Sequence, residues 1–414
     1  MNKNKLTYID LFAGCGGLSE GFMASGQYEG LAHIEWELPM VNTLRNRLNK
    51  KWDESEIDAL NKVIHFDIQK TEELIHGNWS EESKTNYAAT NGDVVIKKGL
   101  QGLVKNKPVD LIIGGPPCQA YSIAGRAQDK NGMKDDYRNY LFESFVKVVE
   151  HFQPKMFVFE NVPGLLSAKP GDKLVTERIF EAFNEIGYEI RDVHKIKKSL
   201  YLASDFGVAQ KRNRIILIGV NKKQNLNLEE IYACLDKQKT DKIKTVKDAI
   251  ADLTPIYPLE NSEDSKISHA LKTENKKAVL NHLPRFQNQR DINIFKQWIT
   301  EDMNNKTSVE KIDFYNKLHN KKSNHAKYRN LEWDKPSPTI VAHLYKDGLM
   351  FIHPDHKQAR SITVREAARL QSFPDDFEFI SSMGYNYKMI GNAVPVEMAR
   401  KIALGLFNYL NNKK

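Results

Sequence analysis

A cysteine directly after two prolines, at the end of an apolar run, is set for exposure rather than for a core. In "DLIIGGPPCQAYSIAG" (110–125), Pro116 and Pro117 end a strand because proline cannot donate to a sheet ladder. Cys118 then falls at the strand's carboxyl edge. A nucleophilic thiolate needs partial exposure, a rigid mount, and positive charge or hydrogen bonds nearby; a lone cysteine lacking these is more often inert. Glu160 follows the apolar "MFVF". Partial desolvation there would suit it to give a proton or to hydrogen-bond a base edge, although a strand-end acid can also simply cap a turn. In "QKRNR" (210–214), Arg212 and Arg214 alternate at i, i+2 and are expected on one face of a strand start. They could hold a phosphate or a carbonyl oxygen, or be an ordinary charged strand start.

A second group of residues suits ligand binding. "DLFAGCGGLSEGF" (10–22) reads as a strand, a glycine-rich turn and a helix start, which lets backbone approach a ligand closely. The third glycine of a dinucleotide fingerprint would fall on Ser19, and no phosphate-loop GK[ST] follows. NAD and ATP are therefore disfavoured, while a nucleoside-type ligand remains. About twenty residues on, where a Rossmann-like fold puts a ribose-binding acid, stands Glu35 in "HIEWELP". Trp36 beside it could stack on adenine, and Asp67 in "HFDIQ" is another strand-end acid. Taken singly, each is as compatible with a solvated acid or a core tryptophan.

These residues need a frame that brings strand ends together. Short β-rich runs at 6–12, 110–115, 155–160 and 214–220 alternate with helical patterns such as 139–152. That alternation predicts an α/β fold with a mostly parallel sheet, whose ligands bind outside the carboxyl ends of the strands. After Val220 the texture changes, and residues 221–335 are rich in Lys, Asn and Gln. They hold 22 Lys and Arg against 17 Asp and Glu, a share of the chain's net charge of +8 that suggests an acidic partner such as nucleic acid. Helical patterns return at 363–373 and 394–410. The apolar face of the last one suits packing on the first domain, which is then discontinuous. Residues 77–108 are polar and read as an insertion or loop of unknown purpose. The 414-residue chain has room for two or three domains, no apolar run of transmembrane length and no signal-peptide pattern. Its three scattered cysteines point to an intracellular setting, and without CxxC or HxxxH no metal is expected.

In order and spacing, "DLFAGCGG", "GGPPCQAYS", "ENVPGL", "QKRNR", "REAARLQSFPDDF" and "GNAVPV" make the chain resemble the cytosine-C5 DNA methyltransferase family, in its bacterial type II modification form. The resemblance spans the chain apart from 221–335. It implies a Rossmann-like, S-adenosylmethionine-dependent methyltransferase domain over 1–220, completed by 361–414, and a smaller target-recognition domain over 221–360. Carried over, Phe12, Gly14, Gly16, Gly17 and Leu18 line the methyl donor, Glu35 holds its ribose, and Trp36, Asp67 and Ile68 its adenine. Pro116, Leu141, Asn392 and Val394 complete that pocket. Cys118 becomes the nucleophile, Glu160 contacts the target ring, and Arg212 and Arg214 steady the target nucleotide. Residues 119–138 match the family's mobile loop, with Gln119, Ser122 and Arg138 as DNA contacts. The implied products are S-adenosylhomocysteine and 5-methylcytosine in double-stranded DNA. The implied setting is a monomer in the bacterial cytoplasm, at the nucleoid, paired with a restriction endonuclease and without a membrane.

Two rivals share parts of this pattern. A tRNA cytosine-C5 methyltransferase has the same core motifs, but the length of 221–335 argues against it, as does Ser122 after Tyr121. An inactive DNA-binding relative would not be expected to keep Cys118, Glu160 and Arg214. The target sequence cannot be read; "RFQNQR" (285–290) and "SNHAKYRN" (323–330) are the base-reading candidates, with solvated surface as the plainer alternative.

Overall fold

The structure is a computed structural model that describes residues 5–105, 107–117, 141–170, 172–259, 267–271, 279–319, 322–346 and 348–412. It contains two compact units. The first is formed by 1–207, 213–241 and 393–414, the second by 208–212 and 242–392. The division falls at different positions from the change in composition at 221. The helix Leu228–Asp236 packs in the first unit, burying Leu228, Ile231, Tyr232 and Leu235. Tyr232 fixes it there, because its hydroxyl accepts from the Ile218 amide at 2.9 Å and donates to the Ile216 carbonyl at 3.2 Å. Residues 361–392 belong to the second unit.

The first unit is built on an eight-stranded sheet. Its strands are β1 (Leu6–Leu11), β2 (Tyr28–Glu35), β3 (Val63–His65), β4 (Leu111–Gly114), β5 (Met156–Asn161), β6 (Tyr188–Glu189), β7 (Leu200–Leu202) and β8 (Asn213–Asn221). The order is β3-β2-β1-β4-β5-β8-β6, with β7 also on β8. From β3 to β5 all pairings are parallel; β8 runs against β5, β6 and β7. The four strands expected from sequence form at 6–11, 111–114, 156–161 and 213–221. Their uninterrupted apolar runs are buried along their length (Leu111, Ile112, Ile113; Phe157, Val158, Phe159), as a sheet covered on both faces requires.

One cover is the helix Leu141–Phe152, whose Phe145 meets Phe157, Phe159 and Phe183 edge-on. Another is the expected amphipathic helix, Val396–Asn412, which packs on the helix Gly17–Ala24 and accepts the Tyr28 hydroxyl on the Ala403 carbonyl at 2.8 Å. The described residues of the polar segment 77–108 form elements of their own. They include helices Glu81–Tyr87 and Asp93–Val104, and send Trp79, Val95, Leu100 and Val104 into the main core. Among the described residues no helix is long and apolar enough to cross a membrane.

The second unit has its own core, in which Phe295, Trp298, Tyr315 and Tyr328 pack with Ile292 and Ile352. It holds a small antiparallel pair, Ile256–Pro258 with His269–Leu271, and helices Gln289–Thr300 and Ser308–His319. The expected helix at 363–373 is realised as Val364–Leu370, started by a capping box in which the Thr363 hydroxyl accepts from the Glu366 amide at 3.1 Å.

Candidate functional site

The turn after β1 is shaped by backbone that only a special sequence allows. Phe12, Gly14 and Gly16 all have positive φ, at 60°, 58° and 92°. A Cβ on Gly16 would lie 2.5 Å from Leu44 Cδ1, and one on Gly17 would lie 2.7 Å from the Val394 carbonyl oxygen. The second contact brings "AVPV" (393–396) against the turn: Val394 stands beside Gly17 although 377 residues separate them. Leu18 is buried beneath, and Phe12 packs on the cluster that contains Leu141.

Glu35 ends β2 next to this turn. Its carboxylate accepts three backbone N–H groups, from Gly14 at 2.9 Å, Trp36 at 2.9 Å and Glu37 at 2.8 Å. Burial pushes its carboxyl up to about 7, against the pull of those donors and with Glu37's charge adding to the rise. The Trp36 side chain is 55% exposed, an open aromatic face beside a buried acid. Asp67 and Ile68 follow β3, which pairs with β2, and the Phe66 amide donates to the Glu35 carbonyl at 3.1 Å. Asp67 is bonded by the Gln69 amide at 3.0 Å, and Ile68 is buried.

Beyond β1, the ends of β4 and β5 meet the start of β8. Because β8 is antiparallel, its first residues reach the edge where the parallel strands finish. Glu160 pairs with Ile216 in register, so Arg214 is its diagonal neighbour on the same face. Arg214 Nε lies 2.6 Å from Glu160 Oε1, and both side chains are about nine-tenths buried. Asn161 Nδ2 donates to the Pro116 carbonyl at 3.4 Å, tying β5 to the "PPC" turn. A Cβ on Gly115 would fall 2.5 Å from Glu160 Oε2. Cys118, Gln119, Ser122 and Arg138 lie outside the described residues. Three inter-strand steps separate β2 from β5, so Glu35 and Glu160 stand about 14 Å apart along one sheet edge.

Other expected residues fall in the second unit. Arg212 precedes β8, is buried in the second unit, and donates to the carbonyls of Ile340 and Gly391, each at 2.8 Å. Arg212 lies just outside the strand, which begins at Asn213. Asn392, exposed at the end of helix Met383–Asn392, is also in the second unit. Of the base-reading candidates, Arg285 donates to the carbonyls of Leu344 at 3.3 Å and Tyr345 at 2.5 Å, and Arg329 to that of Met350 at 3.4 Å. Cys15 is buried in the glycine turn, and burial pushes its thiol up to about 12. It is therefore a packing residue.

Other residues of the motifs act in ways their spacing did not reveal. Ser19 bridges two buried groups beneath the turn, donating to Asp10 Oδ2 at 2.5 Å and lying 2.8 Å from His33 Nδ1. Burial drives Asp10 up to about 7 and His33 down to about 3. Gln210 joins two distant motifs of the second unit: it donates to the Leu370 carbonyl at 3.2 Å and to Gln371 at 3.1 Å, and accepts from the Ile340 amide at 3.0 Å. A glutamine inside a basic run gives no such signal from sequence.

The chain matches the family model for the C-5 cytosine-specific DNA methylase over residues 6–79 and 66–408. It is 33% identical to the type II methyltransferase M.Bpa9945I of Bacillus paralicheniformis, covering 97% of this chain and 99% of that one. It is 30% identical to the type II methyltransferase M1.HphI of Haemophilus parahaemolyticus, covering 99% and 88%. Among solved structures, one described as a prophage-encoded DNA modification methyltransferase of E. coli superimposes with a TM-score of 0.62 at 25% identity, over 98% of this chain and 100% of that one.

Proposed function

The chain belongs to the C-5 cytosine-specific DNA methylase family and is a DNA cytosine-5-methyltransferase; from that premise we propose that it methylates a cytosine turned out of a specific duplex sequence, through a covalent bond from Cys118. The observation that carries this reading is the buried Glu160–Arg214 pair beside Pro116, two residues before Cys118. The Cys118 thiolate adds to carbon 6, and Glu160 places a proton at N3, so no negative charge accumulates on the ring. Carbon 5 then has enamine character and can attack an electrophile. Water takes the carbon 5 proton, the electrons of that C–H bond restore the 5,6 double bond and expel the thiolate, and the N3 proton returns to Glu160. Arg214 holds the Glu160 carboxylate in place and remains charged throughout. Moving the base out of the stack costs roughly a few kcal/mol.

The residues of the β1–β3 edge fit S-adenosylmethionine. Glycines at 16 and 17 leave room for close backbone approach, Glu35 suits ribose hydroxyls, and the open face of Trp36 suits adenine. When bound, that molecule supplies an electrophilic sulfonium methyl and leaves as S-adenosylhomocysteine. Target recognition is assigned to the second domain. The type II methyltransferase names of the relatives favour a modification enzyme. Its proposed setting is a monomer on nucleoid DNA in a bacterial cytoplasm, shielding that DNA from a companion restriction endonuclease.

A duplex carrying 5-fluorocytosine tests the mechanism. In the presence of S-adenosylmethionine it should trap an adduct at Cys118, located by peptide mass spectrometry and lost in Cys118→Ala. A chain that binds the duplex without forming an adduct would be an inactive relative. Bisulfite sequencing of DNA from cells expressing the chain then identifies the target cytosine.

A further inference from the structure

We propose that segment 79–91 is a brace that fixes the adenine end of the cofactor cradle, acting through the positioning residue His65. The inference rests on the reading of Trp36 and Asp67 as cofactor residues.

β3 is the edge strand of the sheet, so its outer backbone groups need partners. Asn91 supplies both for His65: its Oδ1 accepts from the His65 amide at 3.0 Å, and its Nδ2 donates to the His65 carbonyl at 2.8 Å. The His65 ring continues the link. Its Nε2 lies 2.9 Å from the Trp36 carbonyl and its Nδ1 2.8 Å from the Thr90 hydroxyl. A carbonyl can only accept, so Nε2 carries a proton. Burial, with Arg45 nearby, keeps the imidazole below its usual value and therefore neutral. Nδ1 is then an acceptor, and the single Thr90 hydroxyl proton is shared between it and the Tyr87 carbonyl 3.0 Å away. The chain of contacts runs from Thr90 through His65 to the backbone of Trp36, whose indole stays open.

Aromatic packing holds the brace in place. Trp79 stacks on Phe66 with centroids 4.3 Å apart, and Tyr87 lies 5.0 Å from Phe66 and edge-on to His65 at 5.3 Å. Arg45 ties the far end, donating to the carbonyls of Thr90 at 2.8 Å and Val63 at 3.1 Å. Residues 65 and 66, immediately before Asp67 and Ile68, are thus gripped by the segment, and the Trp36 backbone is held through His65.

The test uses the full-length enzyme with S-adenosylmethionine titrated by calorimetry, and with duplex methylation kinetics. His65→Ala should raise Kd and KM for S-adenosylmethionine about tenfold while kcat at saturating cofactor holds. Thr90→Val, nearly isosteric, should raise them about fivefold with the chain still folded. His65→Gln, whose amide can still donate to the Trp36 carbonyl, should restore affinity. If wild type binds the cofactor and both Thr90→Val and His65→Ala bind it as tightly, the brace is overturned. If kcat falls with KM unchanged, the residues act elsewhere and the brace is equally overturned. A wild-type chain that binds no S-adenosylmethionine overturns the cradle reading itself.

Discussion

Glu35 and Glu160 end two parallel strands of one sheet, both are more than nine-tenths buried, and they are held in opposite ways. Glu35 is bonded by backbone N–H groups of its own turn and of the glycine turn, and its carboxyl is raised to about 7. Glu160 is held by a guanidinium at 2.6 Å. Short of proline, no substitution removes a backbone donor, whereas a single arginine can be replaced. One end of the edge is therefore set by chain geometry and the other by a charge.

The largest expected effect separates the two ends chemically. Glu160→Gln should lower methyl transfer about 10²–10⁴-fold with S-adenosylmethionine binding intact; a variant that loses both would show the two ends to be one unit. Next comes stability. Arg214→Ala leaves Glu160 buried beside no guanidinium and should cost about 3–5 kcal/mol in denaturant unfolding. A cost near zero would mean that solvent reaches Glu160 and that the ion pair is not a buried one. At the other end, Trp36→Ala should weaken cofactor binding by about 1–3 kcal/mol without a loss of thermal stability, since its side chain is 55% exposed.

The smallest effect is on pH. Because the carboxyl of Glu35 is raised in the folded state, its protonated form favours the fold. That contribution is full below the ordinary value of 4.5 and lost as pH rises through about 7. Ribose hydroxyls need the ionised acceptor, so cofactor binding should follow the opposite course and be about tenfold weaker at pH 6 than above 8. Glu35→Gln should flatten both profiles; an unchanged binding profile would assign the titration to another group, with buried Asp10 the first suspect.

Much of this edge was legible. Strand-end punctuation located β1, β4 and β5, and the residues after them proved to be neighbours. Pairing was not legible: that β8 runs antiparallel, bringing Arg214 to Glu160, depends on contacts between segments 54 residues apart. Arg212 shows the same limit, since an arginine before a strand looks alike whether it meets a nucleotide or two carbonyls. The helices within 77–108 are not legible because the buried residues there are few and widely spaced in a polar run, and Trp79 finds its partner Phe66 only in three dimensions.

The absence of a side chain at position 115 makes that position an unusual control point. The atom a methyl group would displace is the tip of Glu160, a flexible side chain, while no backbone need give way within 3.4 Å. Gly115 is not among the residues with positive φ, so alanine meets no conformational barrier there. A single carbon would thus be absorbed by the fold and felt by the chemistry. That is the kind of lesion by which a methylase could fall silent while its protein remained abundant and folded.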